Sequence, residues 1–157
     1  MHPNCQSKFV LSIVLFALGS GCSNPVGNPE EADAIAAIQK LKGKVEFEGE
    51  GQDRRVIKVY LHNTAVQDGD LAILSKLPKL RNLFLGKTHV GDPGLDHVGK
   101  SLELVTLSLN STRVTDNGLK SLTKLAKLKT LNLQETQVTK EGVAALKKQL
   151  PGLTVAR

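Results

Sequence analysis

From Val56 onward, the apolar positions of the chain recur every 24 residues. "VIKVYLHNTAVQDGDLAIL" starts at Val56, "LRNLFLGKTHVGDPGLDHV" at Leu80, "LVTLSLNSTRVTDNGLKSL" at Leu104 and "LKTLNLQETQVTKEGVAAL" at Leu128. In register, these segments stack Val59, Leu83, Leu107 and Leu131 in one column and Leu61, Leu85, Leu109 and Leu133 in the next. Val66, Val90, Val114 and Val138 follow, then Leu71, Leu95, Leu119 and Val143, then Leu74, Val98, Leu122 and Leu146. Threonine holds one polar column throughout, at Thr64, Thr88, Thr112 and Thr136.

Each unit changes period within itself. Its first half alternates as LxL, the pattern of a short strand with one buried face. Its second half, GLxxL, has the i, i+3 spacing of a helix turning one stripe inward. A single strand–helix unit cannot bury its own apolar face, whereas stacked units share one continuous core. The pattern LxxLxLxxTxVxDxGLxxL resembles the leucine-rich repeat in the form found in bacterial envelope proteins, over about residues 56–155. That resemblance implies an α/β fold: a right-handed solenoid with a parallel strand ladder on the concave side and helices on the convex side.

The flanks predict caps. In "NPEEADAIAAIQKLKG", Asn28 is an expected helix N-cap, Pro29 the first helical residue and Glu31 the capping-box partner three positions on. Ile35, Ile38 and Leu41 form the helix's apolar stripe and Gly43 is its expected stop. "KVEFE" alternates Val45 and Phe47 with charges, a strand signal, and should cover the open edge of the first repeat. "LPGLTV" begins a fifth repeat strand, with Leu153 one residue late against the spacing of 24, so an irregular closing unit is expected. The expected division is 30–55 as a helix–strand cap and 56–157 as repeats with a C-terminal cap.

The residues before the cap read differently. Lys8 precedes the apolar run Phe9–Leu18, and "GSGC" follows it, the order of a secretory signal. Ten such residues are too few for a bilayer span, which needs about 20. "LGSGC" resembles a bacterial lipobox, with Leu18 one place further from the cysteine than the family often has it. The resemblance implies that 1–21 is removed, that Cys22 carries a lipid as the first mature residue, and that Ser23 directs the protein to the outer membrane, facing the periplasm. Cys5 falls in the removed segment, so no disulfide is expected. Residues 22–29 form the anchored tether, in which "SNPVGNP" reaches roughly 25 Å when fully extended.

Charge adds an asymmetry. The net charge is +6. Residues 118–157 hold eight basic and two acidic residues, so this C-terminal stretch carries the whole surplus. Lys120, Lys124, Lys127, Lys147 and Lys148 should lie on the convex side, as a solvated face or as an attraction for anionic lipid or polymer. Nucleic acid is not expected as a partner of an exported chain with so few aromatics to stack bases.

No catalytic constellation stands out. "STRVTDNG" gathers hydroxyls, a carboxylate and a guanidinium, but Asp116 has counterparts at Asp68 and Asp92, each before a helical stripe. The aspartates are therefore expected to cap their own helices, each contributing about 1 kcal/mol. Lys140 breaks the column, and Thr139 is the expected replacement cap. Thr112 should bond loop backbone as the chain leaves its strand. His62, His89 and His97 lack metal-ligand spacing, and no cofactor is expected.

Binding is expected on the concave face, because side chains between the leucines point outward with period 2. Three ladders result: Lys58, Asn82, Thr106, Thr130; Tyr60, Phe84, Ser108, Asn132; and His62, Gly86, Asn110, Gln134. Tyr60 and Phe84 are adjacent, and they are two of the three aromatics outside the signal. Such a pair fits an interface hot spot, and equally a sheet-stabilising pair under the cap. The candidate partner-binding residues are Lys58, Tyr60, His62, Asn82, Phe84, Ser108, Asn110, Asn132 and Gln134, with Arg113 from the loops. The concave face spans on the order of 400 Å² from its strand spacing, below the roughly 800 Å² per partner of a standard interface. A peptide-like segment or a weak protein partner therefore fits best. The expectation is a monomeric, non-enzymatic protein-binding lipoprotein of the bacterial cell envelope. The alternative is a structural or polyanion-binding component acting through its basic C-terminal half.

Overall fold

The computed structural model describes residues 29–50 and 53–157. The signal, Cys22, most of the tether and the Asn28 cap lie outside the described residues. Helix α1 (Pro29–Lys40) and strand β1 (Lys44–Glu48) precede the repeats. The repeat strands are β2 (Arg55–Tyr60), β3 (Asn82–Phe84), β4 (Thr106–Ser108), β5 (Thr130–Asn132) and β6 (Thr154–Ala156). All six strands form one sheet in sequence order. β1 pairs antiparallel with β2, so the first repeat edge is covered, and the remaining pairings are parallel.

Between strands the chain crosses back through a 3₁₀ segment (Asp68–Lys76), α2 (Asp92–Val98), α3 (Asp116–Leu119) with a 3₁₀ continuation (Lys120–Lys124), and α4 (Lys140–Gln149). Helix was expected in all four, and two of them are wholly or partly 3₁₀. Spacing allows the 3₁₀ form without dictating it, since α2 carries the same interval of three from Leu95 to Val98. Leu71, Leu74, Leu77 and Leu80 are all buried at intervals of three, as are Leu119, Leu122, Leu125 and Leu128. A 3₁₀ turn aligns residues i and i+3, whereas an α-helix needs a step of four to keep the stripe straight. α4, the longest crossover helix, has that step between Leu146 and Leu150.

The leucine and valine columns form one continuous core. Val59, Leu83, Leu107 and Leu131 are fully inaccessible to solvent, and only Val143 among the column residues is partly exposed. The threonine column has a uniform role. The hydroxyls of Thr64, Thr88, Thr112 and Thr136 donate to the carbonyls of Leu61, Leu85, Leu109 and Leu133 at 2.6–2.7 Å. Each closes the turn at the strand exit, where Asn63, Lys87, Ser111 and Glu135 hold left-handed φ of 54–57°.

The aspartate column works differently from expectation. Asp68, Asp92 and Asp116 are the first residues of their helical segments, and the caps are Gln67, Gly91 and Thr115. The carboxylates reach into the following repeat. The Gly91 N–H donates to Asp68 Oδ1 at 2.7 Å. The Thr115 N–H and hydroxyl donate to Asp92 at 2.8 and 2.6 Å, and those of Thr139 donate to Asp116 at the same distances. Each aspartate therefore joins two coils. Thr139 does cap α4, accepting from the Gly142 N–H at 3.1 Å. Glycine at 94, 118 and 142 follows from the same contact, since a Cβ there would strike the preceding repeat's carboxylate. The first repeat has no such repeat before it. Its residue in that column is Asp70, which instead accepts from the Gln67 N–H at 2.9 Å.

Three cap expectations change as well. Glu31 does not turn back along its helix: it is buried, accepts from the Val56 N–H at 3.3 Å and lies 3.8 Å from Arg55 Nε. It thereby ties α1 to β2. α1 ends in a Schellman turn whose left-handed residue is Lys42 (φ 62°), not Gly43. There the Gly43 and Lys42 N–H groups donate to Ile38 and Gln39 carbonyls at 2.8 and 2.9 Å. At the far end, β6 keeps the strand spacing, pairing Thr154 with Thr130 and Val155 with Leu131. The slip at Leu153 is confined to the approach to the strand, where Leu153 is buried all the same.

Candidate functional site: an aromatic-floored groove on the sheet

The parallel register aligns Lys58, Asn82, Thr106, Thr130 and Thr154 in one ladder and Tyr60, Phe84, Ser108, Asn132 and Ala156 in the next. Successive residues in a ladder lie one strand spacing apart, about 4.8 Å. The Tyr60 and Phe84 rings use that spacing to stack, with centroids 4.8 Å apart and planes 4° from parallel. His62 meets the edge of Tyr60 at 6.4 Å. The pair is half-buried, so it supports the sheet and also presents apolar surface.

β1 holds this pair in place. The Tyr60 hydroxyl donates to Glu46 Oε1 at 2.9 Å, and Lys58 Nζ lies 2.8 Å from Glu46 Oε2. The Lys58 ammonium, and after it the Tyr60 hydroxyl, hold the Glu46 carboxyl below its ordinary pKa. The same bond holds Lys58 above its ordinary value. Burial raises the Tyr60 phenol, and its hydrogen bond to Glu46 raises it further. Lys58 is therefore engaged within the protein and supports the site from its edge.

Above the rings lies a groove of about 500 Å³, lined by Tyr60, His62, Asn63, Phe84, Gly86, Lys87, Ser108 and Asn110. The Ser108 hydroxyl donates to Asn110 Oδ1 at 3.0 Å, and the Asn110 amide lies directly over Gly86, where any Cβ would collide with it. Of the residues expected to bind, Tyr60, His62, Phe84, Ser108 and Asn110 come together here. Asn82 lies half-buried in the neighbouring ladder. Asn132 accepts from the Gln134 N–H at 3.0 Å, and neither residue lines the groove. Arg113 lines a neighbouring cavity of about 370 Å³ with Gln67, Asp68, Gly69 and His89. Asn63, Gly86 and Lys87 were not among the expected set. Their signals were present: Gly86 is the one residue of its ladder without a side chain, and residues 63 and 87 directly precede the invariant threonine. Among the described residues no cluster of three or more His, Cys, Asp or Glu could hold a metal ion.

A family model described as "Leucine Rich repeat" matches residues 102–122 and 124–147. The match covers two consecutive repeats of the solenoid. Among solved structures the chain is similar to internalin C2 of Listeria monocytogenes, at 24% identity and TM-score 0.43 over 54% of this chain and 36% of that one. It is also similar to the internalin InlF of the same organism, at 18% and 0.43 over 64% of this chain and 34% of that one. A leucine-rich-repeat protein of Leptospira interrogans aligns at 16% and 0.41, over 55% of this chain and 27% of that one. The chain thus spans about a third of the length of these structures. No curated protein matches it.

Proposed function

We propose that this chain is a non-catalytic protein-binding module that takes a peptide-like segment or small protein surface on its concave face. The observation that carries the reading is the Tyr60–Phe84 stack, which puts apolar ring surface on the floor of an open groove with polar walls. Aromatic anchors in such surroundings dominate binding energies at protein interfaces. The N-terminal sequence supports the cellular setting: an exported lipoprotein of the bacterial envelope, held in the membrane through Cys22 and acting in the periplasm as a monomer.

In-cell photocrosslinking tests the binding reading. A photoreactive residue at position 84 should capture a protein, and one at Lys124 on the opposite side should not. Equal capture from both positions, or none from 84, would overturn it. Cell fractionation tests the setting, since Cys22→Ala should release the protein from membranes; continued attachment would overturn the lipid anchor.

A second reading draws on the basic helices. Lys124, Lys147 and Lys148 are exposed and in no ion pair among the described residues, whereas Lys127 pairs with Glu103 at 2.6 Å and Lys120 bonds Asn117. Such a face suits anionic lipid or polymer. Binding through it should fall steeply with salt, while aromatic-centred binding should persist at moderate ionic strength.

A further inference from the structure

The aromatic ladder stops after two rungs. Tyr60 covers one face of Phe84. On the other side the register offers Ser108, a hydroxymethyl group where a third ring would continue the stack. The groove extends over this position, and Ser108 and Asn110 line it together with both rings. The register sets Ser108 one strand spacing, about 4.8 Å, from Phe84 on its uncovered side. Offset-stacked rings sit at centroid distances of about 4.5–7 Å, so a flat group one rung beyond Phe84 falls within that range.

The charged side chain that lines the groove itself is a cation. Lys87 lines the groove, and Arg113 and His89 line the adjoining cavity. The ion pairs among the described residues engage Arg55, Lys58, Lys76, Arg81 and Lys127, and neither Lys87 nor Arg113 is in one. No carboxylate lines the groove. Nearby, Glu46 is held by Lys58 and Tyr60, Asp68 by the Gly91 N–H, and Glu135 by the Ser111 hydroxyl. The backbone groups of the floor strands are already paired within the sheet. A ligand must therefore be recognised through side chains: one ring face, one amide and unpaired cations.

We propose that the groove recognises an acidic peptide segment carrying one aromatic side chain, whose ring fills the slot over Ser108 as the third member of the Tyr60–Phe84 stack. Carboxylates flanking that ring are drawn to Lys87 and, on the loop side, to Arg113. This rests on the binding reading above and adds the chemistry of the partner.

The protein carries its own reporter. Tyr60 is the only tyrosine, and there is no tryptophan, so intrinsic emission comes from the groove alone. Three capped eight-residue peptides without tyrosine or tryptophan serve as probes. One surrounds a single phenylalanine with aspartate and glutamate, one replaces that phenylalanine with leucine, and one keeps it but replaces the acids with lysine. The acidic phenylalanine peptide should perturb Tyr60 emission with at least tenfold higher affinity than either of the others, and this preference should shrink as salt rises. Ser108→Phe fills the slot and should weaken that peptide about tenfold, the order expected when one aromatic stacking contact is lost; Ser108→Ala should not. Lys87→Glu should narrow the preference for the acidic peptide over the basic one.

Equal binding of the leucine and phenylalanine peptides, equal or tighter binding of the lysine peptide, or indifference to Ser108→Phe would overturn the proposal. A nucleoside monophosphate that binds more tightly than the acidic phenylalanine peptide would also overturn it. Each of these outcomes leaves the concave face as a binding site. If none of the three peptides perturbs Tyr60, this proposal and the binding reading fall together.

Discussion

Ordinarily, Gly→Ala inside a helix stabilises a protein by up to about 1 kcal/mol, because glycine loses more backbone freedom on folding. At Gly118 the opposite sign is expected. A Cβ there would lie 2.5 Å from Asp92 Oδ1 and 2.9 Å from Leu95 Cδ1. The Leu95 methyl is the end of a flexible side chain and can yield. The Asp92 carboxylate cannot, because it is held by the Thr115 N–H and hydroxyl at 2.8 and 2.6 Å. Overpacking of this kind costs about 1–3 kcal/mol, so Gly118→Ala should destabilise the protein by about 1–2 kcal/mol. Asp92→Ala alone should cost about 2 kcal/mol, since it leaves a half-buried amide without its acceptor. With the carboxylate gone, the obstacle at residue 118 is gone as well. The double variant should be no less stable than Asp92→Ala, a favourable coupling of about 1–2 kcal/mol. Urea unfolding of the four proteins measures this as shifts in midpoint, provided the m-values agree. Equal costs for Gly118→Ala in both backgrounds would show that the aspartate does not set the glycine, and would refute the inter-repeat contact as its cause.

Other consequences are independent of that contact. Lys42→Gly, at the exposed left-handed position after α1, should raise stability by up to about 1 kcal/mol, read as a higher Tm. Thr139's hydroxyl, and then its N–H, hold the Asp116 carboxyl below its ordinary value of 3.8. Its contribution to stability is therefore full above about pH 4 and is lost as pH falls through the lower folded-state value. Thr139→Ala should flatten the acid end of the stability profile, and an unchanged profile would count against the bond. The sole tyrosine should titrate above its ordinary value of 10.0 by ultraviolet absorbance, and Glu46→Gln should bring it closer to that value. A Tyr60 titration indifferent to Glu46→Gln would mean that the hydrogen bond does not hold the ring.

The aspartates show how far reading by equivalence goes. Their recurrence every 24 residues identified Asp68, Asp92 and Asp116 as structural. Their role was misassigned because a helix start is the nearest place for an aspartate to act, while the true partners lie 23 residues on. Two exceptions in the sequence carry the clue. The glycine column is broken at Asp70, where no repeat precedes, and the aspartate column at Lys140. Both breaks are what a contact between consecutive coils produces at its two ends. At the groove, the residues between the leucines were legible because strand side chains alternate. Lys87 and Asn63 were marked only by their place before the invariant threonine, and their direction depends on a left-handed turn that periodicity alone does not reveal.

Sequence by itself determined the repeat, the buried columns, the threonine that closes each turn and the ladder that places Tyr60 beside Phe84. All of these follow from spacing along one chain, and hydrophobic burial acts on spacing directly. Only the tertiary structure decided what passes between coils: the carboxylate reaching into the next repeat, the glycine that admits it, the Asn110 amide over Gly86 and the empty rung over Ser108. These depend on the distance between neighbouring turns of the solenoid, which is set by side-chain packing in the shared core.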